Sequence, residues 1–90
     1  MTTLEAIFRD RYGLHPRAAM RITQAAGAFH SRLSITGPDG RSTDARSMIS
    51  LVSAGIRAGD RIAIAADGDD EAEAAEALRQ LAEAGVCHGG

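Results

Sequence analysis

The stretch Gly13-Leu14-His15-Pro16-Arg17-Ala18 marks the point at which the chain passes from an irregular loop into its first helix. Proline is favoured at the first helical position, because the N–H that it lacks would have no intrahelical partner there. His15 therefore takes the N-cap position, directly before the helix. Apolar residues then recur at helical spacing on one face, at Ala18, Ala19, Ile22, Ala25, Ala26 and Phe29. The pattern predicts a helix over residues 16–26, ended by Gly27 as a C-terminal glycine.

Four short segments outside this helix are predicted to be strands, at residues 3–8, 32–36, 41–43 and 61–66. The turn Gly37-Pro38-Asp39-Gly40 joins the second strand to the third, which predicts an antiparallel return. Ser47 begins a short second helix that Gly55 ends, and its hydroxyl can accept from free N–H groups of the first turn. A third helix is predicted over residues 70–84, with acidic residues at its start, where the helix dipole favours negative charge.

The predicted order of elements is β-α-β-β-α-β-α, which places the chain in the α+β class. The short strands must form one sheet, and each amphipathic helix has to bury its apolar face, so the helices should pack on the same side. Apolar and polar residues alternate along the strands, which leaves the other face of the sheet to water. The sequence therefore predicts an open-faced β-sandwich, a four-stranded antiparallel sheet with three helices on one face.

Length and composition are those of one ordinary globular domain. The chain has 90 residues, of which 44% are hydrophobic and 24% are charged, enough for a single modest core. No apolar run is long enough to span a bilayer, and the first residues lack the basic start and apolar stretch of a secretory signal. We expect a cytoplasmic protein without membrane insertion, with a domain over residues 1–84 and a flexible C-terminal tail over residues 85–90.

The distribution of charge suits a protein that handles an anion at one end. A net charge of −2 argues against nucleic-acid binding. All ten basic residues are arginines, and half of them lie within the first 32 positions, whereas the acidic residues concentrate between Asp67 and Glu83. A solvated helix face is the interpretation that we favour for those acids. Cys87 and His88 are adjacent, which is poor spacing for a metal, so no metal site and no cofactor are predicted.

The head of the first helix combines features of an anion site. A helix start offers unpaired N–H groups and partial positive charge. Arg17 adds a guanidinium that can hold a phosphate through two hydrogen bonds, and Gly13 lets the loop come close. The positive helix end disfavours imidazolium, so His15 should keep a lone pair that can attack phosphorus. The plainer alternative is that His15 is a simple cap or surface residue and Arg17 a solvated helix residue.

Two segments carry a resemblance to a known family. Gly13-Leu14-His15-x-Arg17 resembles the active-site motif of HPr, the histidine phosphocarrier of the bacterial phosphoenolpyruvate:sugar phosphotransferase system. Residues 46–56, RSMISLVSAGI, resemble the second family signature, a basic residue and a serine followed by an apolar helix and a glycine. The resemblance covers residues 3–84. It implies that His15 takes a phosphoryl group on Nδ1 from phosphorylated enzyme I and passes it to a histidine on the A domain of a sugar permease, with Arg17 holding the phosphate.

The resemblance also implies roles around the second helix. Ser47 matches the serine that a dedicated kinase phosphorylates in many bacteria to slow the relay; the alternative is that it is only a cap. Met20, Met48 and Ile49 would flank His15 as an adaptable docking patch for partners. The plainer alternative places Leu51 and one of Met48 or Val52 in the core. The family expectation is a monomeric carrier rather than a stand-alone enzyme.

The chain departs from the family pattern at the site itself. Ala18 stands where proline usually follows the arginine, and the proline has moved to Pro16, which removes one N–H donor to a phosphate. Tyr12 stands where a small polar residue is common, and its phenol either approaches the site or packs on the loop. His30, the remaining candidate, is interpreted as a surface loop residue.

Three functions are weighed on these grounds. The first is the phosphocarrier. The second is an HPr-like regulator that acts by binding a transcription factor or an enzyme, and the third is a small interaction domain of a longer polyprotein. The presence of both His15 and Arg17 favours the carrier, because a pure regulator does not need that pair.

Overall fold

The computed structural model describes residues 1–84 and folds them into seven elements. In chain order these are β1 (Thr2–Ile7), α1 (Pro16–Gly27), β2 (Arg32–Thr36), β3 (Ser42–Asp44), α2 (Met48–Ser53), β4 (Arg61–Asp67) and α3 (Glu71–Ala84). The predicted order is confirmed, and the strand bounds differ from the predicted ones by at most one residue. The predicted tail at residues 85–90 lies outside the described residues.

The strands form one antiparallel sheet in the order β1-β4-β2-β3. Apolar residues align in rows across it, with Leu4 opposite Ile64 and Ile64 opposite Ile35. These side chains pack in one cluster with the buried residues of the helices. Positions of opposite parity, such as Glu5, project from the face that the three helices leave to solvent. The open-faced β-sandwich is therefore confirmed, and its architecture follows from the period-two alternation in the strands.

The C-terminal end of α1 differs from the prediction. Gly27 is the last helical residue rather than a left-handed cap, and Ala28 follows it in a right-handed conformation with φ −77° and ψ −10°. Other groups reach the carbonyls that such a cap would satisfy. The Arg46 guanidinium donates to the carbonyl oxygen of Ala26 at 3.0 Å and to that of Phe29. The predicted glycine cap at Gly27 was wrong, because Arg46, which is distant in sequence, donates to the carbonyl oxygens at this end of the helix.

Asp70 ties the turn before β2 to the start of α3. Its carboxylate accepts hydrogen bonds from the N–H groups of His30 at 2.8 Å and Ser31 at 3.0 Å, and from the Ser31 hydroxyl. Ser31 is completely buried, and a Cβ on Gly68 would lie only 2.7 Å from its Oγ. The hydroxyl of Ser31, helped by the backbone donors, lowers the pKa of Asp70 to about 2.

We expect the free energy of unfolding to decrease as the pH falls from about 4 towards about 2. A carboxyl whose pKa is lowered on folding stabilises the protein above its ordinary value of 3.8, and this contribution is lost as the pH falls through the folded value of about 2. Denaturant titrations across this interval measure the effect. Asp70→Asn should reduce the pH dependence but leave the part due to Glu71, whose pKa the Thr2 hydroxyl lowers to about 2.

The matched control for this prediction is Asp39→Asn. Asp39 makes one backbone hydrogen bond within an exposed turn, to the N–H of Arg41 at 3.0 Å. This variant should follow the wild-type curve of stability against pH. An Asp70→Asn protein whose stability declines as steeply as that of the wild type would contradict the assignment.

Candidate functional site

His15 occupies the N-cap of α1, as the sequence predicts. Its backbone is extended, with φ −86° and ψ 173°, and Pro16 follows at the start of the helix. The ring Nδ1 accepts the backbone N–H of Arg17 at 3.3 Å. A neutral imidazole has one acceptor nitrogen and one N–H, so a ring that accepts at Nδ1 carries its proton on Nε2. The lone pair at the head of α1 therefore belongs to Nδ1.

The loop before His15 is pressed against the segment that follows α2. Gly13 has φ +75°, and a Cβ on it would lie 3.0 Å from the carbonyl oxygen of Ile56. The N–H of Leu14 donates to the same oxygen at 2.9 Å. Both the left-handed backbone and the close approach require glycine, as expected from the sequence. This contact fixes where the chain enters α1, and so where His15 lies.

Tyr12 lies against the imidazole of His15. The ring centroids are 5.9 Å apart and the ring planes meet at 80°, an edge-to-face arrangement. The guanidinium carbon of Arg11 lies 5.5 Å from the Tyr12 centroid on the ring face. Of the two alternatives for Tyr12, approach to the site is the correct one. Because Tyr12 is 68% exposed, its ring forms part of the rim around His15.

Asp10 is the residue of the site that the sequence analysis missed. Its side chain is only 2% exposed, and its Oδ1 lies 3.8 Å from Nε2 of His15. The same oxygen accepts the backbone N–H of Tyr12 at 3.0 Å, and the Asp10 carbonyl accepts the N–H of Gly13 at 2.9 Å. An aspartate that opens a turn ending in glycine is a recognisable signal for such a loop. That signal does not indicate where the carboxylate will point.

Arg17 extends from the first turn of α1 into solvent. Within residues 1–84 its guanidinium has no hydrogen-bond or ion-pair partner, and its backbone N–H is the donor to His15. A guanidinium beside a helix N-terminus offers paired donors to an anion. The structure thus places Arg17 next to His15, as the sequence predicts, with its donors available.

Ser47 is the N-cap of α2. Its Oγ accepts the N–H of Ser50 at 3.3 Å and lies 3.0 Å from the Ser50 hydroxyl oxygen. The cap function expected of this serine is therefore confirmed. Because Ser47 directly precedes Met48 and Ile49, any group added to its hydroxyl would lie beside the exposed side of α2.

Exposed apolar side chains from α1 and α2 lie on the surface of these packed helices. We call them the apolar patch: Met20, Met48, Ile49 and Val52, which are 42%, 38%, 82% and 38% exposed. Leu51 is fully buried, as the plainer alternative has it, whereas Met48 and Val52 remain exposed. With six residues, α2 makes less than two turns, and Leu51 is its one buried residue.

Comparisons with known proteins identify the family of this chain. The profile described as PTS HPr component phosphorylation site matches residues 3–84. The chain belongs to the HPr family. The phosphocarrier protein HPr of Mycoplasma genitalium is 39% identical over 83 residues, which cover 92% of this chain and 94% of the relative. The crystal structure of a phosphocarrier protein HPr from Bacillus anthracis aligns with a TM-score of 0.86 at 30% identity, over 91% of this chain and 96% of that one.

Membership of the HPr family makes this chain a phosphocarrier of the phosphotransferase system. Similar sequences also occur inside longer proteins of the same kind. A multiphosphoryl transfer protein of Xanthomonas campestris is 36% identical over 69 residues, which cover 77% of this chain and 8% of that protein.

His30, the remaining candidate within residues 1–84, lies away from this site. His30 is exposed after α1, as expected. Among residues 1–84 there is no group of three or more histidine, cysteine or acidic residues placed to hold a metal ion. None of the helices in that part of the chain has the length and apolar character needed to cross a membrane.

Proposed function

We propose that this HPr-family protein carries the phosphoryl group on Nδ1 of His15. It accepts the group from phosphorylated enzyme I and delivers it to a histidine on the A domain of a sugar permease, acting as a cytoplasmic monomer. The observation that carries the proposal is the position of Nδ1. This atom faces the backbone N–H of Arg17 at the start of α1, and the Arg17 guanidinium has no partner within residues 1–84.

Acceptance of the phosphoryl group exchanges one hydrogen bond for another. The lone pair that attacks phosphorus is the one that accepts the Arg17 N–H, so this bond must be given up during attack. At 3.3 Å this hydrogen bond is long, so the free energy lost when it breaks is small. Once the N–P bond has formed, a phosphoryl oxygen replaces Nδ1 as the acceptor. The first turn of α1 therefore keeps an acceptor in both states.

The bound phosphoryl group brings about two negative charges to the head of α1. The positive end of the helix and the Arg17 guanidinium both stabilise them. Pro16 has no N–H, so the free backbone donors of the first turn are those of Arg17 and Ala18. A larger share of the stabilisation falls on the Arg17 side chain than in a chain with an ordinary residue at position 16.

The proposal is tested by incubating the purified protein with phosphoenolpyruvate and a catalytic amount of enzyme I, followed by mass spectrometry. The expected product gains the mass of one phosphoryl group, loses it in acid, and carries it on the peptide that contains His15. A wild-type protein that stays unlabelled would overturn the proposal. So would an acid-stable gain or a label on the peptide that contains His30.

We further propose that Ser47 is phosphorylated by a serine kinase to slow the relay, and that the apolar patch receives the partner proteins. Flexible methionine side chains suit a surface that packs against several partners. A phosphate on the Ser47 hydroxyl would add negative charge directly beside Met48 and Ile49. This charge would have to be desolvated by any partner that docks there, which weakens the complex.

Three substitutions test the patch and the serine together. Ile49→Asp should raise the KM of enzyme I for this protein at least about tenfold, because it places a charge at the most exposed apolar side chain of the patch. Ser47→Asp should raise the KM by a smaller factor, and Ser47→Ala should leave it unchanged. After incubation with ATP and the kinase, the wild type should gain an acid-stable phosphoryl group that Ser47→Ala lacks.

The control for the patch is Thr3→Asp, because Thr3 is exposed in β1, outside α1 and α2. Its KM should equal that of the wild type. An Ile49→Asp protein with an unchanged KM would remove Ile49 from the docking surface.

A further inference from the structure

We propose that Asp10 is a positioning residue for His15. Its carboxylate selects the Nε2–H tautomer of the neutral ring and stabilises the positive charge that the ring gains when Nδ1 binds phosphorus. The transfer step rests on the proposed function, whereas the choice of tautomer is a property of the unphosphorylated protein.

The geometry brings a buried carboxylate to a buried nitrogen. Oδ1 of Asp10 lies 3.8 Å from Nε2 of His15. Within residues 1–84, Nε2 is shielded from solvent and has no hydrogen-bond partner. An ordinary N–H···O distance is about 2.9 Å, so a small rotation of either side chain closes the contact. A buried polar atom without a partner is unfavourable, which drives the two groups together when Nε2 carries a proton.

The two sides of the imidazole select the same tautomer. On one side, the Arg17 N–H needs an acceptor and finds it at Nδ1. On the other side, the Asp10 carboxylate, whose Oδ1 also accepts the Tyr12 N–H, faces Nε2 and can accept a proton donor there. The hydrogen bond made by one ring nitrogen decides which nitrogen carries the proton, and carboxylate partners commonly orient functional histidines in this way. Asp10 and the head of α1 therefore both keep the lone pair on Nδ1.

The charge balance of transfer gives Asp10 its second role. The lone pair of Nδ1 forms the new N–P bond. The bond between phosphorus and the donor protein breaks, and the electron pair of that bond stays with the donor protein. The proton on Nε2 stays in place, so the ring becomes positively charged. A carboxylate that is 2% exposed faces that proton in an environment where charges interact strongly. When the group leaves, the electron pair of the N–P bond returns to Nδ1 and the ring is neutral again.

The alternative role for Asp10 is purely structural, because its Oδ1 also accepts the Tyr12 N–H. Asp10→Asn separates the two roles, since the amide oxygen can still close the turn while the negative charge is lost. Asp10→Ala removes both. Asp39→Asn is the matched control, because Asp39 closes the β2–β3 turn with the same bond to the N–H two residues on, at 3.0 Å.

The first measurement is ¹⁵N NMR of the His15 ring in the unphosphorylated protein, at a pH well above the ordinary imidazole value of about 6.5. The wild type and Asp39→Asn should show the resonances of the Nε2–H tautomer. In Asp10→Ala, which removes the acceptor that faces Nε2, both ring nitrogens should shift towards a mixture of tautomers, while the backbone amide spectrum stays folded. Asp10→Asn, whose amide oxygen can still accept from Nε2, should shift less. A wild-type ring protonated on Nδ1 would overturn the proposal, as would an Asp10→Ala ring identical to that of the wild type.

The second measurement is the rate of phosphoryl transfer from enzyme I. Asp10→Asn should be slower by about tenfold, the scale seen when the outer partner of a functional histidine is removed, and Asp39→Asn should match the wild type. If the rate of phosphoryl transfer falls in Asp10→Ala but not in Asp10→Asn, Asp10 serves only to close the turn, and the proposal is overturned. A wild type that enzyme I leaves unphosphorylated would refute the proposed function, and the ring resonances would then decide the role of Asp10 by themselves.

Discussion

Alanine in place of His15 is expected to lower phosphorylation by enzyme I at least about a thousandfold, because it removes the atom that forms the bond to phosphorus. The neighbouring side chains do not replace it. Tyr12 presents a phenol rather than a ring nitrogen, and the Asp10 side chain is only 2% exposed. The measurement is the initial rate of label transfer from phosphoenolpyruvate, with circular dichroism to verify the fold.

His30→Ala is the matched control for this substitution. His30 lies beyond the far end of α1, so a helix of 12 residues, about 18 Å long, separates it from the head of α1. Its backbone N–H bonds to Asp70, an interaction that the substitution leaves intact. The His30→Ala protein should be labelled at the wild-type rate. A His15→Ala protein that retains labelling would place the carrier residue elsewhere in the chain.

His15→Ala should remain folded. The substitution removes the N-cap bond to the Arg17 N–H, and the loss of a helix cap costs about 1 kcal/mol. The contacts that fix the loop, from Leu14 to the Ile56 carbonyl and from Gly13 to the Asp10 carbonyl, are made by backbone atoms. Loss of transfer in this variant therefore reports chemistry rather than unfolding.

Short-range features of the sequence predict the backbone around His15 and Ser47. Pro16 begins α1 and Gly13 permits the close approach to Ile56, and each of these effects acts within a few residues of His15. The same holds for Ser47, whose cap contact with Ser50 spans one helical turn. The sequence therefore predicts which side chains stand at the helix heads.

Contacts between distant segments could not be predicted in the same way. Arg46 donates to the Ala26 carbonyl from a position 20 residues further along the chain. The glycine cap predicted at Gly27 is therefore not needed at this end of α1. The Asp10 carboxylate lies 3.8 Å from Nε2 of His15 because the turn through Gly13 folds back towards the ring, and a turn motif does not specify that direction. Side-chain direction within an irregular loop depends on the whole packed structure.

Arg17→Ala is expected to slow transfer to His15 by about a hundredfold, the effect of removing one donor that stabilises the charge of a transferring group. The physical reason lies in the shortage of other donors at the head of α1. Pro16 supplies no N–H, and the N–H of Arg17 itself is engaged with Nδ1 until attack begins. Arg17→Lys keeps the positive charge but lacks the paired donors of a guanidinium. We therefore expect the rate of transfer to fall less than in Arg17→Ala, by about tenfold.

The control for Arg17 is Arg21, which lies one turn further along the same face of α1 and is also exposed. Arg21→Ala removes the same charge from the same helix but not from its head, and should change the rate by less than about twofold, since exposed charges are largely screened beyond about 10 Å. An equal loss in both variants would mean that the general positive charge of α1 attracts the donor protein. A loss of rate confined to Arg17→Ala would support contact between the Arg17 guanidinium and the phosphoryl group at the head of α1.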